Sequence, residues 1–351
     1  MAETESDLTL IGAWPSPFVL RARIALNVKN LQYLLKDFPR DLASVKRAQV
    51  ICFYMGRPDL SLNLIQQVQP QNQEQSYVYG MLAFPLLELG RMEEAEKAAK
   101  KALEINKQDS WAQHNLKWNP SLCYLEGHSP IQNILEVYDQ RIWKELEKTD
   151  AAHPEVYLNS LGLLLRLYVR GEIDVFEDRL KILTSCITDQ RNWFLELHLD
   201  VLILWALAHA GEFSKAEDLL KGLKSRVAKM NNKKQQLMQK GLSLSEAMYE
   251  YGRGNEEQAL ELLGPDFDAK SYKIIGASDE QLDVFIEVWY SMLLNTGQAT
   301  KAIEALEKSI KKREGVPFLW RLLERAYSMI GSKEATIAGE KAKVLESKYF
   351  K

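Results

Sequence analysis

The sequence has few cysteines: Cys52, Cys123 and Cys186 are the only three in 351 residues. Being odd in number and far apart, they exclude a CxxC zinc pattern and a disulfide framework, and they favour a reducing compartment. The chain also lacks a charge excess. Its 45 Lys and Arg against 48 Asp and Glu leave a formal net charge of −3, so no global field draws it to nucleic acid or an anionic membrane. The longest apolar run, "VLILWALA" at 201–208, falls well short of the ~20 residues that span a bilayer. The first ten residues, MAETESDLTL, carry acids where a secretory signal carries a basic flank, and the closing SKYFK matches no simple retention or peroxisomal address. A soluble, cytoplasmic protein is the expectation. Strand patterns are scarce too. Apart from "LTLIGAW" no stretch alternates with period two, and apolar residues recur at three and four, the helical spacing.

What is present is a repeat. Four stretches align: "LLELGRMEEAEKAAKKAL", "LAHAGEFSKAEDLLKGL", "YGRGNEEQALELLG" and "LLNTGQATKAIEALEKSI". In each, a glycine follows an apolar helical segment and an alanine comes five residues later: Gly90/Ala95, Gly211/Ala216, Gly254/Ala259 and Gly297/Ala302. Weaker copies surround Gly56, Gly171 and Gly331. A glycine ends a helix because it reaches left-handed angles without a Cβ clash. Acids such as Glu93-Glu94 and Glu256-Glu257 then suit the first turn of the next helix, and the alanine lets the two helices approach closely. The pattern predicts an all-α fold of about seven or eight stacked hairpins, a curved solenoid.

Residues 76–109, "SYVYGMLAFPLLELGRMEEAEKAAKKALEINKQD", resemble the tetratricopeptide repeat. Read with "YLEGHSPIQNILEVYDQRIWKELE" and the later hairpins, the chain from about residue 34 to 351 is similar to the tetratricopeptide repeat protein 38 family in a plant-like, truncated version. That resemblance implies a right-handed helical solenoid and supplies no catalytic motif. Relative to the family, the chain is short at its N-terminus and between His114 and Leu122. The expected organisation is an N-terminal extension at 1–33 and a repeat domain at 34–351, with a deletion junction near 114–122. Pro120 falls where a helix should run uninterrupted, so the solenoid is expected to kink there and to be cut by protease near Trp118–Ser121.

Residues 8–30, "LTLIGAWPSPFVLRARIALNVKN", resemble a different protein, the N-terminus of a plant tau-class glutathione transferase. The resemblance implies a strand and a helix of a thioredoxin-like domain. It also implies that Ser16, at the helix start, donates its hydroxyl to the glutathione sulfur. A helix N-terminus does favour an anion. The rest of the sheet, the cis-proline loop and the γ-glutamyl pocket are not recognisable. The following "YLLKDFPRDLASVKRAQVICFYMG" reads as helix instead, capped by Asp41, with Leu42, Val45 and Val50 on its apolar face. One strand and one helix build no pocket.

Other residues yield no chemistry. His198 and His209 lie on one side of a helix but about 16 Å apart along its axis, too far to share an ion. His114 and His128 belong to no HExxH-type motif. The run "KGLKSRVAKMNNKKQQLMQKG" holds seven positive residues from Lys221 to Lys240 and no acid. With no interleaved aromatics to stack bases it reads as a solvated helix end and a long connection, not a nucleic-acid site. Trp193, Trp205, Trp289 and Trp320 are expected in the hairpin core. "YGRGNEEQ" lacks the lysine and the preceding strand of a phosphate loop. No catalytic, cofactor-binding or metal residue is assigned. The function expected is a non-catalytic scaffold binding a peptide or partner helix in a concave groove lined by the first helix of each hairpin. The partner is a protein, not nucleic acid or membrane. The enzymatic alternative is a glutathione-dependent transferase or thiol-binding activity led by Ser16.

Overall fold

The computed structural model describes residues 57–105, 118–144, 154–277 and 279–349, together with 9–10, 34–35 and positions 45, 48, 49, 51 and 52. Ser16, His114, Gly56, Asp41, Leu42 and Val50 lie outside the described residues. Among the described residues fifteen α-helices follow one another: α1 (Pro58–Val68), α2 (Ser76–Glu88), α3 (Met92–Ile105), α4 (Trp118–Glu126), α5 (Ile131–Val137), α6 (Pro154–Val169), α7 (Glu177–Ile187), α8 (Leu197–His209), α9 (Phe213–Ala228), α10 (Asn232–Gly252), α11 (Glu256–Leu263), α12 (Asp279–Asn295), α13 (Ala299–Ile310), α14 (Pro317–Met329) and α15 (Glu334–Glu346). From α2 onward they pair into seven hairpins, and the described positions 45, 48, 49, 51 and 52, which precede α1, are helical. The fold is the expected all-α solenoid.

The glycines act as read. Gly90, Gly171, Gly211, Gly254, Gly297 and Gly331 all have φ between +68° and +80°. Each closes its helix with the same pair of backbone bonds. At the first, Gly90 N donates to Leu87 O (3.0 Å) and Arg91 N to Leu86 O (2.9 Å), the Schellman arrangement that satisfies the last carbonyls. A seventh turn of this kind, between α4 and α5, uses His128 at φ +54°, with Ser129 N donating to Tyr124 O at 2.8 Å. The paired alanines Ala95, Ala216, Ala259 and Ala302 are completely buried, where a larger side chain would force neighbouring helices apart.

First and second helices differ in how they are buried. Every residue of α8 from His198 to Ala208 is buried, and α6 is nearly as enclosed. A helix apolar on all sides is one surrounded by protein. Their partners bury a single stripe: Ala216, Leu219, Leu220 and Leu223 in α9, and Ala299, Ala302, Leu306 and Ile310 in α13. Besides its sequence neighbours, α6 packs on α12, a contact across the stack. The C-terminal end also returns to the first complete hairpin. Tyr349 donates its hydroxyl to Gly90 O at 3.1 Å, and a Cβ on Gly90 would lie 3.3 Å from Gly315 Cα. The concave side is therefore not an open groove along all the first helices; over much of its length it is core.

Leu34–Leu35 pairs in parallel with Thr9–Leu10, a two-residue bridge. The described part of α4 starts at Trp118, and Pro120 and Ser121 within it are buried. One further expectation is corrected: the basic run is not a long connection, because α9 ends at Ala228 and α10 starts at Asn232, with Asn231 Oδ1 accepting from Lys234 N at 3.0 Å.

Candidate functional site

The centre of the stack is charged. Arg166 in the apolar α6 and Arg170 directly after its end are one turn apart, as are Asp283 and Glu287 in α12; Glu126 ends α4, and Arg313 follows α13. Helical spacing puts each like-charged pair on one face, and the α6–α12 packing turns opposite charges towards each other. Arg170 Nη2 donates to Glu126 Oε1 (2.6 Å) and Glu287 Oε1 (2.7 Å), its Nε to Glu287 Oε2 (3.2 Å), and its Nη1 to Leu125 O (2.9 Å). Its guanidinium lies 4.4 Å from the Phe318 ring centre. Arg313 bridges Glu126 (2.8 Å) and Asp283 (3.0 Å). Arg166, almost wholly buried, donates to Gly162 O of its own helix at 3.1 Å.

Burial pushes the Asp283 and Glu287 carboxyls up, against the pull of Arg313 and Arg170 respectively. Burial also opposes ionisation of Glu126, but Arg170 and Arg313 together hold it below the usual carboxylate range. Three cations and three anions thus share one buried cluster, in which the Arg170–Glu287 pair is bidentate and Arg313 bridges two carboxylates. It ties α4, α6, α12 and the α13–α14 turn together. It does not resemble a general acid–base pair, which needs a free protonation step near neutrality.

Beside this cluster opens a cleft of about 920 Å³. One wall comes from the start of α1 and the end of α2 (Arg57, Phe84, Leu87), the other from α12, α13 and the loop at 265–270. Asp283, Glu287 and Arg313 line it, with Phe267, Trp289 and Tyr290 as its aromatic surface, Lys301 and Lys308 from α13 and Lys312 just after it. Two buried donors here, Arg313 Nε and Trp289 Nε1, have no partner among the described residues. A cleft that mixes apolar surface with a few polar groups is the form a binding site takes.

The residues weighed from sequence are dispersed. His198 is buried against Phe285, and burial, then the Arg166 charge, pushes its imidazole down to about 3. His209 stacks on Trp205 and meets Tyr168 edge-on. Among the described residues no group of three or more His, Cys, Asp or Glu is placed to hold a metal, and no helix is long and apolar enough to cross a membrane. Trp193, Trp205 and Trp289 are in the core, and Trp320 is half-buried, donating to Glu314 O at 2.8 Å. Cys52 and Cys123 are buried and Cys186 is exposed, and none of the three forms a disulfide. Sequence reasoning missed the central cluster, although "LLLRLYVR" and "DVFIEVWY" carried a signal: charges four residues apart inside otherwise apolar helices.

A tetratricopeptide repeat profile matches residues 76–109, the hairpin α2–α3. Two Arabidopsis thaliana proteins match a short segment. Glutathione S-transferase U11 is 59% identical over 32 residues, 9% of this chain and 14% of that protein; glutathione S-transferase U17 is 68% identical over 28 residues, 8% and 12% respectively. The chain thus spans a small fraction of these relatives. Among solved structures, a complex titled "Structure of Naa15/Naa10 bound to HypK-THB" aligns with 94% of this chain and 61% of that one, at 14% identity and a TM-score of 0.23.

Proposed function

We propose that the chain is a non-catalytic protein-interaction scaffold whose binding site is the cleft between α1–α2 and α12–α13. The observation that carries this reading is the cleft itself. It is a large opening left where the two ends of the stack meet, with apolar and aromatic walls and with charged groups from Asp283, Glu287, Arg313, Lys301, Lys308 and Lys312 among its lining. A peptide backbone brings carbonyl acceptors and its side chains bring apolar area. An extended peptide or a single helix is the occupant in this reading, reached within a cytoplasmic protein that binds neither nucleic acid nor membrane. The resemblance to the tetratricopeptide repeat protein 38 family, with a unit removed near 114–122, rests on the residues quoted above. The resemblance of residues 8–30 to a transferase is read as a short joined segment.

A photo-crosslinking residue at Ala305, inside the cleft, should capture protein partners that the same residue at Lys215, on the outer face of α9, does not. Identical adducts from both positions would remove the cleft from consideration. The rival is tested on the same preparation. Retention on glutathione resin, with turnover of a generic electrophile abolished by Ser16→Ala, would replace the scaffold reading by an enzymatic one.

A further inference from the structure

Away from the cleft, the first two turns of α10 stand clear of the stack, every residue from Asn231 to Gln239 being exposed or half-buried. This is the basic run. Of its seven cations, Lys224 bonds to Glu246 at 2.5 Å and Arg226 lies over the Phe194 ring at 4.1 Å. The other five, Lys221, Lys229, Lys233, Lys234 and Lys240, make no ion pair among the described residues.

The second observation is apolar. At Gly241 a Cβ would lie 2.7 Å from Leu197 and 3.3 Å from Ile275, so α10 is drawn tightly against the start of α8 and the 3₁₀ turn at Ala269–Ile275. Leu237, one turn earlier on that same face, continues past them and is 54% exposed. Leu195, two residues before Leu197, and Ile274, next to Ile275, are 50% and 41% exposed. Lys233 and Lys240 flank Leu237 along the helix. Each of the three elements that meet at Gly241 thus carries an exposed apolar side chain within about a turn of that contact, and the α10 side adds ammonium groups that make no ion pair among the described residues.

We propose that this shelf docks an acidic segment of a partner protein, one whose apolar side chains alternate with carboxylates. The lysines speed and orient the encounter, and the leucines and isoleucine supply the desolvated centre. An anionic membrane fits less well, because membrane-surface helices gather their apolar residues on one face of one helix, whereas these come from three elements. RNA is disfavoured because the run from Lys221 to Lys240 carries no aromatic for stacking.

The test uses the full chain and a short fluorescent synthetic peptide in which Glu and Leu alternate in helical amphipathic order, titrated by anisotropy. Saturable binding that weakens with salt is expected. The triple variant Lys233→Glu/Lys234→Glu/Lys240→Glu should lose ~10-fold or more in affinity, and Leu237→Ser a few-fold, with circular dichroism unchanged because all four side chains project into solvent. Polyglutamate should bind more weakly than the amphipathic peptide. Unchanged affinity in the triple variant, equal binding of polyglutamate, or tighter binding to phosphatidylserine vesicles or a single-stranded RNA oligomer would each overturn the proposal.

Discussion

Helices α8 and α9 form one hairpin, joined at Gly211, yet they answer to different environments. α8 buries every residue from His198 to Ala208. α9 buries a stripe of alanine and leucine and leaves the rest to water. The same contrast recurs between α12 and α13, and its cause is closure: because the last hairpin returns to the first, the inner helices have protein on every side and the outer ones on one. The inner layer sets stability and holds the charge cluster, while the outer layer offers surfaces.

The largest test of that contrast is a scan with aspartate. Along α8, every position from Leu199 to Ala208 other than Asp200 is expected to lose more than ~3 kcal/mol, since each would bury an unpaired charge. Along α9 the buried Ala216, Leu219, Leu220 and Leu223 should do so, as should Gly222, where a Cβ would lie 2.4 Å from the Phe194 ring, while the exposed Ser214, Lys221 and Ser225 should be replaceable at under ~0.5 kcal/mol. Denaturant unfolding of the purified variants reads this directly, and a helical period in α8 would show that one of its faces is free.

Next in size is the difference between inner and outer ion pairs. Arg170→Met strands Glu287 in the interior and is expected to cost ~3–5 kcal/mol. Arg91→Ala breaks a pair with Glu94 in which both side chains are about half exposed, and should cost less than ~1 kcal/mol. Comparable losses would mean that the central cluster is hydrated rather than enclosed.

Acid and base probe the same layer with opposite signs. The buried imidazole of His198 is held down to about 3, so below ~pH 6.5 the unfolded chain takes up a proton that the folded one refuses, and stability falls. His198→Gln should remove that fall. Burial drives the Asp200 carboxyl up to about 7, against the Phe194 N–H that it accepts at 2.8 Å and the nearby Arg226 charge. From ~pH 4 to about 7 the folded chain keeps a proton that the unfolded chain has lost, and its stability falls as pH rises. Asp200→Asn retains an acceptor for Phe194 and should raise stability at pH 8 by ~1–3 kcal/mol. No gain there would show that water reaches the carboxylate.

The sequence disclosed the hairpins because each is written locally: a glycine that must go left-handed and an alanine one turn into the next helix. Closure was illegible for the opposite reason. Tyr349 meets Gly90, and Arg313 meets Glu126, across separations of 259 and 187 residues, and no local pattern encodes such a meeting. The central cluster lies between these cases. Charges at helical spacing in α6 and α12 were visible, but nothing in the chain said that the two helices face each other. The cleft exists only because the ends approach, so it was out of reach for the same reason.

His128 offers the smallest effect and the most specific one. It is the exposed, left-handed residue of the α4–α5 turn, doing with a Cβ what glycine does in the other six hairpins, and this hid the turn from a search for glycines. Left-handed angles cost an L-residue ~1–2 kcal/mol, partly offset by the greater freedom glycine has when unfolded. His128→Gly is therefore expected to stabilise the protein by ~0.5–1 kcal/mol. The mirror substitution, Gly211→Ala, meets nothing within 4 Å of its new Cβ, so it isolates the backbone cost and should destabilise by ~1 kcal/mol. Both shifts are readable as denaturation midpoints at unchanged slope. If His128→Gly destabilises instead, the imidazole makes a contact that outweighs its strained backbone. The nearest candidate is Glu346, whose carboxyl the His128 charge helps to lower after Arg321 has done most of it, and Glu346→Gln should then reproduce the loss.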